Sequence, residues 1–312
     1  MSTRIYVAGG DSFIGRAIRG RVPFSTESRE KGTRPLLVND AEPDLTDRAA
    51  VERFFTQTRP DVVLVAAGKT AGIAGNQRSP ADLMLDNLLG STHVISAAWN
   101  AGVRKLLYLA SSCVYPKAAP QPFSPSSLWT GPVEPTSDAY AVAKLAGIRL
   151  CEAYRRQHGA NFITAIAADA YGPGDDFSQE NSHVAAALLR RIHEAKTAAA
   201  PFVEIWGSGT PRREFIFVDD LADACLFAMD HYDGAEPLNL GTGVTTSITE
   251  LAEGIRDVVG YEGELRFDRS KPDGMAFKGL DSEPLHTLGW KARHGLRQGL
   301  EETYGWYLKV KS

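Results

Sequence analysis

Tyr140 and Lys144 stand four residues apart in Tyr140-Ala141-Val142-Ala143-Lys144, so on a helix they project from one face, one turn apart. An isolated tyrosine titrates at about 10 and is a poor acid or base at neutral pH. A lysine ammonium beside it favours the phenolate, and a serine hydroxyl can share the proton in transit. Ser111-Ser112-Cys113-Val114-Tyr115 offers that serine, Ser111, directly after an apolar run. Together Ser111, Tyr140 and Lys144 suit proton transfer to or from an alcohol or carbonyl oxygen while a hydride moves. Tyrosine and lysine at this spacing also coincide by chance on surface helices. What decides for chemistry is a dinucleotide fingerprint upstream.

That fingerprint opens the chain. Arg4-Ile5-Tyr6-Val7-Ala8 reads as a short buried strand, followed by Gly9-Gly10-Asp11-Ser12-Phe13-Ile14-Gly15 and a helix start at Arg16. Strand, glycine turn, helix is the order that aims a helix amino terminus at a pyrophosphate. Gly9 permits the tight turn, Gly15 lets the helix lie against the strand, and Ser12 stands where a strict GxxGxxG pattern would put glycine. Further apolar runs at 35–38, 62–67, 106–110 and 162–167 alternate with helical spacing at 49–58, 81–101 and 139–158. Such alternation means parallel strands with crossover helices. The fold class is therefore α/β, a doubly wound (Rossmann) sheet with a smaller, discontinuous α/β substrate domain. Segments 1–171 and 201–244 are assigned to dinucleotide binding, and 172–200 and 245–312 to substrate binding. Within these, 183–196 reads as a helix and 203–206 as a strand, while 215–218 and 238–240 are strands able to rejoin the large sheet. Ligands of such sheets gather beyond the strands' carboxyl ends, where Gly9, Ala67-Gly68-Lys69, Ser111 and Asp169 all fall.

Composition sets the outer limits. The chain has 312 residues, is 43% hydrophobic and carries a formal charge of -4. That charge gives no basic footprint, so a nucleic-acid partner is not expected. Three cysteines without a CxxC pair, and no signal-peptide pattern, point to the reducing cytoplasm. No apolar run reaches the ~20 residues a membrane span needs, and no metal site is expected.

With these residues in view, the chain resembles the extended short-chain dehydrogenases/reductases, and within them the epimerase-reductases that make GDP-L-fucose. The resemblance rests on residues 9–15, Ser111-Ser112-Cys113-Val114-Tyr115-Pro116, 140–144, Asn181-Ser182-His183-Val184, 206–215 and Ser270-Lys271-Pro272-Asp273-Gly274. It implies nucleotide-sugar chemistry on GDP-4-keto-6-deoxy-D-mannose: epimerisation of the carbons flanking the ketone, then reduction of the ketone. Cys113 and His183 match the epimerisation pair, as base and acid; taken alone, the first reads as a small core residue and the second as part of a helix cap. Cys151 and Cys225 are expected in the core. Arg191, Trp206, Arg213, Asp273 and Lys278 match substrate-binding positions. Cofactor contacts are implied along the glycine loop (Gly9, Gly10, Asp11, Ser12, Phe13, Ile14, Gly15) and at Asp40 after the second strand. They continue at Leu109, Ala110, Ser112 and Lys144, then at Ala167, Ala168, Asp169, Ala170 and His183. The resemblance also implies a homodimer paired through the helices at 81–101 and 139–158.

Two departures stand out. The resemblance implies NADP(H), yet Asp11 and Asp40 are acidic where basic or hydroxyl groups usually meet the 2′-phosphate; a carboxylate there accepts a hydrogen bond from a free 2′-hydroxyl. NAD(H) is therefore a serious alternative, with Lys31 and Arg34 as compensating cations. The second departure is Asp169, where the family places an amide. A reductase or epimerase for a related GDP-linked 4-keto-6-deoxy sugar or heptose is the alternative enzyme. A cofactor-sensing binding protein without catalysis is the alternative outside enzymes, and retention of Ser111, Tyr140 and Lys144 argues against it.

Overall fold

A computed structural model describes residues 3–22, 36–38, 41–70, 72–271 and 273–311. The apolar runs form the six-stranded sheet β2-β1-β3-β4-β5-β9, built from β1 (Arg4–Ala8), β2 (Leu36–Leu37), β3 (Val62–Val65), β4 (Lys105–Ser111), β5 (Phe162–Ala167) and β9 (Leu238–Leu240). Every neighbouring pair is parallel. Such strands are covered on both faces, which is why they read as continuous rather than alternating apolar runs. The chain winds outward from β1 in both directions, and this reversal opens a crevice at the strands' carboxyl ends.

The covering helices are α1 (Phe13–Arg21), α2 (Arg48–Thr58), the short α3 (Ile73–Arg78), α4 (Pro80–Asn100), α5 (Asp138–His158) and, after the smaller lobe begins, α7 (Val218–His231). Helix α1 packs on α7, while α4 packs on α2 and α5. Helix α5 ends at Gly159, whose φ of 68° is the left-handed conformation glycine adopts at little cost. Gly147 in α5 lies directly against the ring of Tyr108 in β4; a Cβ there would collide with it. That close approach seats α5 over the end of β4.

The smaller lobe has its own core, including Leu188, Ile192, Ile205, Phe215, Leu251 and Tyr307. It contains α6 (Val184–Thr197), α8 (Ile248–Val259) and α10 (Leu296–Lys311), while the short α9 (Glu283–Thr287) packs on β9, with Leu285 in the core of the large sheet. Its central strand is β8 (Arg212–Phe217), flanked by β6 (Asp169–Tyr171), β10 (Thr245–Ser247) and β12 (Phe277–Lys278), while β7 (Phe202–Trp206) pairs with β11 (Glu264–Asp268). Ser247 caps α8 in a reciprocal box with Glu250, as an N-terminal Ser three residues before Glu should. One expectation is corrected here. The strand read at 215–218 does not rejoin the large sheet; Phe215, Ile216 and Phe217 pair with β6. A buried Phe-Ile-Phe run looks the same in sequence whichever sheet covers it. Strand β9 does return to the large sheet, against β5.

Candidate active site

The glycine turn is as tight as the sequence requires. Gly9 has φ +76°, and a Cβ on it would collide with Ala67 backbone; a Cβ on Gly15 would meet the Gly9 carbonyl. Ser12, the departure from a strict glycine pattern, is the N-cap of α1: its hydroxyl accepts the Gly15 N–H at 3.0 Å. Such a cap is worth about 1 kcal/mol, and it leaves a helix amino terminus at the crevice, a fitting seat for a pyrophosphate. Glu42 buttresses the turn by accepting from the Gly9 N–H and the Tyr6 hydroxyl, both at 2.7 Å. Asp11 does not present a free carboxylate, since Arg19 pairs with it at 2.7 Å. Asp40, Lys31 and Arg34 lie outside the described residues.

Tyr140 and Lys144 lie one turn apart on α5. Lys144 is buried (4% exposed), and its Nζ donates to the carbonyls of Ala67 at 2.9 Å and Leu109 at 3.3 Å. Burial pulls this ammonium down to about 8, with Cys113 pulling the other way. Tyr140 is pushed well above the ordinary tyrosine range, by burial first and then by Cys113 and Tyr108, while a hydrogen bond with Thr70 opposes the shift. The expected effect of Lys144, a lowered Tyr140, is thus not what this geometry gives. Its Nζ lies 5.9 Å from the Tyr140 ring centre and is committed to two carbonyls, so burial dominates. Tyr140 holds its proton at neutral pH, the state a proton donor needs.

Thr70 and Asn87 were not foreseen. The Thr70 hydroxyl hydrogen-bonds with Tyr140 and lies 3.4 Å from His183 Nε2. Asn87 donates to the carbonyls of Lys69 at 2.9 Å and Leu83 at 2.7 Å, fixing the loop that carries Thr70. Position beyond the carboxyl end of β3 was the available signal for Thr70; nothing in sequence marked Asn87.

Cys113 opens off the end of β4 within the turn Ser112–Val114, and its thiol hydrogen-bonds with the Ser111 side chain. Burial raises the thiol, Lys278 lowers it and Asp169 raises it. His183 occupies the N-cap position of α6 but its side chain makes no capping hydrogen bond; the imidazole instead faces the cleft beside Thr70. Crowding by protein lowers it, and Asp169 opposes that. Lys278 Nζ bonds Asp169 Oδ1 at 2.8 Å, and the Ser112 hydroxyl reaches the same oxygen at 3.4 Å. The register explains the meeting: Lys278 pairs with Arg213, and Asp169 with Phe215 two residues further along β8, so all four side chains share one face. One residue along, Glu214 points the other way and is buried; it accepts from Gly243 N–H at 2.8 Å and Leu280 N–H at 2.6 Å, pinning the strand that carries Lys278.

The remaining expected residues divide. Leu109, Ala110, Ala167 and Ala168 are buried, so any ligand contact they make is through backbone, and the Ala168 N–H is already bonded to Leu240. Arg213 lies between Asp169 and Asp273, both of which act on its charge. Asp273 itself is occupied: its oxygens accept from the Ser208 N–H and hydroxyl at 2.8 and 2.7 Å, holding the turn after β7. Arg191 donates to the Glu204 carbonyl, two residues before Trp206, which is 67% exposed with Lys271 Nζ 5.6 Å from its ring centre. Cys151 and Cys225 are buried as expected.

Known proteins resemble this arrangement along its whole length. The pattern of the NAD dependent epimerase/dehydratase family matches residues 5–241. GDP-L-fucose synthase 1 of Arabidopsis thaliana is 50% identical over 99% of this chain and 94% of its own. GDP-L-fucose synthase of Escherichia coli is 45% identical over 98% of this chain and 97% of its own. Among solved structures, a GDP-6-OMe-4-keto-L-xylo-heptose reductase of Campylobacter jejuni superposes with a TM-score of 0.89 at 32% identity, covering 100% of this chain and 99% of its own. A GDP-L-fucose synthetase of Naegleria fowleri bound to NADP gives 0.87 at 26% identity, covering 99% and 95%.

Proposed function

This chain belongs to the NAD-dependent epimerase/dehydratase family, and from that premise we propose that it converts GDP-4-keto-6-deoxy-D-mannose to GDP-L-fucose with NADP(H), as a 3,5-epimerase and 4-reductase. The observation that carries the reading is the convergence of Cys113 and His183 with Ser111, Tyr140 and Lys144 in one cleft, in a chain about half identical to a GDP-L-fucose synthase. The crowded glycine turn, the capped amino terminus of α1 and the buried Lys144 ammonium fit a bound dinucleotide. When bound, the reduced cofactor supplies the hydride.

The ketone acidifies the C–H bonds on either side of it. Cys113, as base, takes a proton from such a carbon, and His183, as acid, returns one from the opposite face. Ser111 and Tyr140 hold the enolate oxygen meanwhile, where fixed donors in a water-poor site act most strongly. In the reduction, Tyr140 gives its retained proton to the same oxygen as it becomes an alkoxide. Lys144 fixes the backbone around Tyr140 through Ala67 and Leu109. Arg191 and Arg213 suit the diphosphate, and Trp206 suits a ring face.

The large lobe then comprises the segments up to 168 together with 218–244, with α9 packed on it, and the substrate lobe 169–217 together with the rest of 245–311. We assign a homodimer across α4 and α5, where Leu85 and Val142 are 56% and 43% exposed, closed by a two-fold axis. Three free thiols suit a reducing cytoplasm.

The test is incubation of the purified protein with GDP-4-keto-6-deoxy-D-mannose and NADPH in deuterium oxide. Formation of GDP-L-fucose labelled at both carbons flanking the reduced centre is expected. Reduction without label would favour the second reading, a reductase for a related GDP-linked 4-keto sugar or heptose, to which the heptose reductase likeness and Asp169 lend weight.

A further inference from the structure

We propose that the Asp169–Lys278 ion pair is a positioning device for the proton-transfer pair, fixing which of Cys113 and His183 carries the proton before substrate arrives. The inference rests on the assignment of Cys113 and His183 as that pair. Geometry supports it first. Asp169 Oδ1 is held by Lys278 Nζ at 2.8 Å and by the Ser112 hydroxyl at 3.4 Å, so the pair is anchored to the residue that precedes Cys113. β6 and β12 flank β8 and deliver the carboxylate and ammonium to one face, and no rearrangement is needed to bring them together.

Their charges act on the two proton carriers with opposite sign. Lys278 favours the Cys113 thiolate and disfavours the His183 imidazolium; Asp169 does the reverse to each. The other groups facing Cys113 are Tyr108 and Ser111 from β4, and Tyr140 and Lys144 from α5. Those facing His183 are Asp176 and the Thr70 hydroxyl. Paired, the two charges oppose each other at both carriers, with Arg213 a second cation beside Asp169, while desolvation by the surrounding protein raises the thiol and lowers the imidazole. Catalysis by a thiolate base and an imidazolium acid requires one proton to pass from Cys113 to His183. The ion pair sets the cost of that transfer, and a substrate hydroxyl that competes for the Asp169 carboxylate would release Lys278 to favour the thiolate. An amide at position 169 would not hold the ammonium in this way.

The experiment measures the pH profile of Cys113 alkylation by iodoacetamide, with Cys113→Ser as the blank for Cys151 and Cys225. Asp169→Asn should move the midpoint down, and Lys278→Met should move it up. Each shift should be about one pH unit, the low end of what a nearby charge produces, because the two side chains are 31% and 18% exposed. The double variant should return close to wild type, and the His183 ring titration followed by NMR should fall in Asp169→Asn and rise in Lys278→Met. Profiles that do not move, or that move the same way in both variants, overturn the inference. If Lys278→Met fails to fold, Asp169→Asn decides alone: a midpoint unchanged or raised overturns it. Opposite shifts in a protein that turns over no GDP-linked sugar would sustain the ion pair's role and sink the proposed reaction instead.

Discussion

Asp175 lies in the loop between Tyr171 and His183, and it is buried. It is 8% exposed; Oδ1 accepts the Asp176 N–H at 2.8 Å, while Oδ2 has no partner among the described residues. Burial raises this carboxyl from 3.8 to about 7, with a backbone hydrogen bond to Asp176 opposing and the Asp176 charge reinforcing the rise. The sign of the consequence follows from proton counting. Between those two values the folded chain binds more protons at this site than the unfolded chain, so stability falls as pH rises through the interval. At about 1.36 kcal/mol per pH unit the loss is at most ~4 kcal/mol by pH 8. Asp175→Asn removes the titration; its unpaired amide adds a cost that does not vary with pH and cancels in a comparison of slopes. Urea unfolding of wild type and Asp175→Asn at half-unit steps from pH 4 to 8 is the assay. The variant should gain on wild type by roughly 2 kcal/mol or more across that range, half or more of the ceiling set by linkage. Parallel curves would refute the reasoning. The loop is otherwise anchored by Phe177 against Trp306 and Tyr307 and by Arg16, which donates to the Gly174 carbonyl at 2.8 Å.

Other outcomes are equally specific. Tyr140→Phe should lower ketone reduction at least ~100-fold, the usual scale of general acid catalysis, with NADPH affinity nearly unchanged; retention of a tenth of wild-type turnover would remove Tyr140 from its role. Cys113→Ser and His183→Asn should depress deuterium uptake at the carbons flanking the ketone more than they depress reduction of an already epimerised substrate, and equal losses in both assays would return them to structural duties. Because Arg19 already pairs with Asp11 on the surface, where such pairs count for little, Asp11→Asn should change KM for NADPH by less than about fivefold. A larger gain would mean that Asp11 faces the ribose. Val142→Asp, on the exposed face of α5, should halve the mass seen by light scattering at micromolar concentration, and a monomeric wild type would dispose of the dimer.

Local order was legible because it depends on local rules. The glycine turn, the buried parallel strands and the Tyr-to-Lys spacing are consequences of backbone sterics and of 3.6 residues per turn: helix α5 runs over Asp138–His158, against 139–158 expected, while β3 ends at Val65, two residues before 67, and α1 begins at Phe13, three residues before Arg16. The Ser12 that broke the glycine pattern carries its own explanation, since a serine at that position caps the helix. What the sequence could not determine were relations across sheets and electrostatic balances. The run Phe215-Ile216-Phe217 announces burial but not the sheet that buries it, and only pairing with β6 assigns it to the smaller lobe. Asp169 and Lys278 are 109 residues apart in the chain, and only the register of β8 makes them one ion pair. The state of Tyr140 is likewise tertiary. A neighbouring lysine predicts an acidified phenol, yet the fold spends that ammonium on the carbonyls of Ala67 and Leu109, and burial then decides the sign. Residue type and spacing name the groups capable of the chemistry, while desolvation and the partners each group finds in three dimensions determine which of them holds a proton.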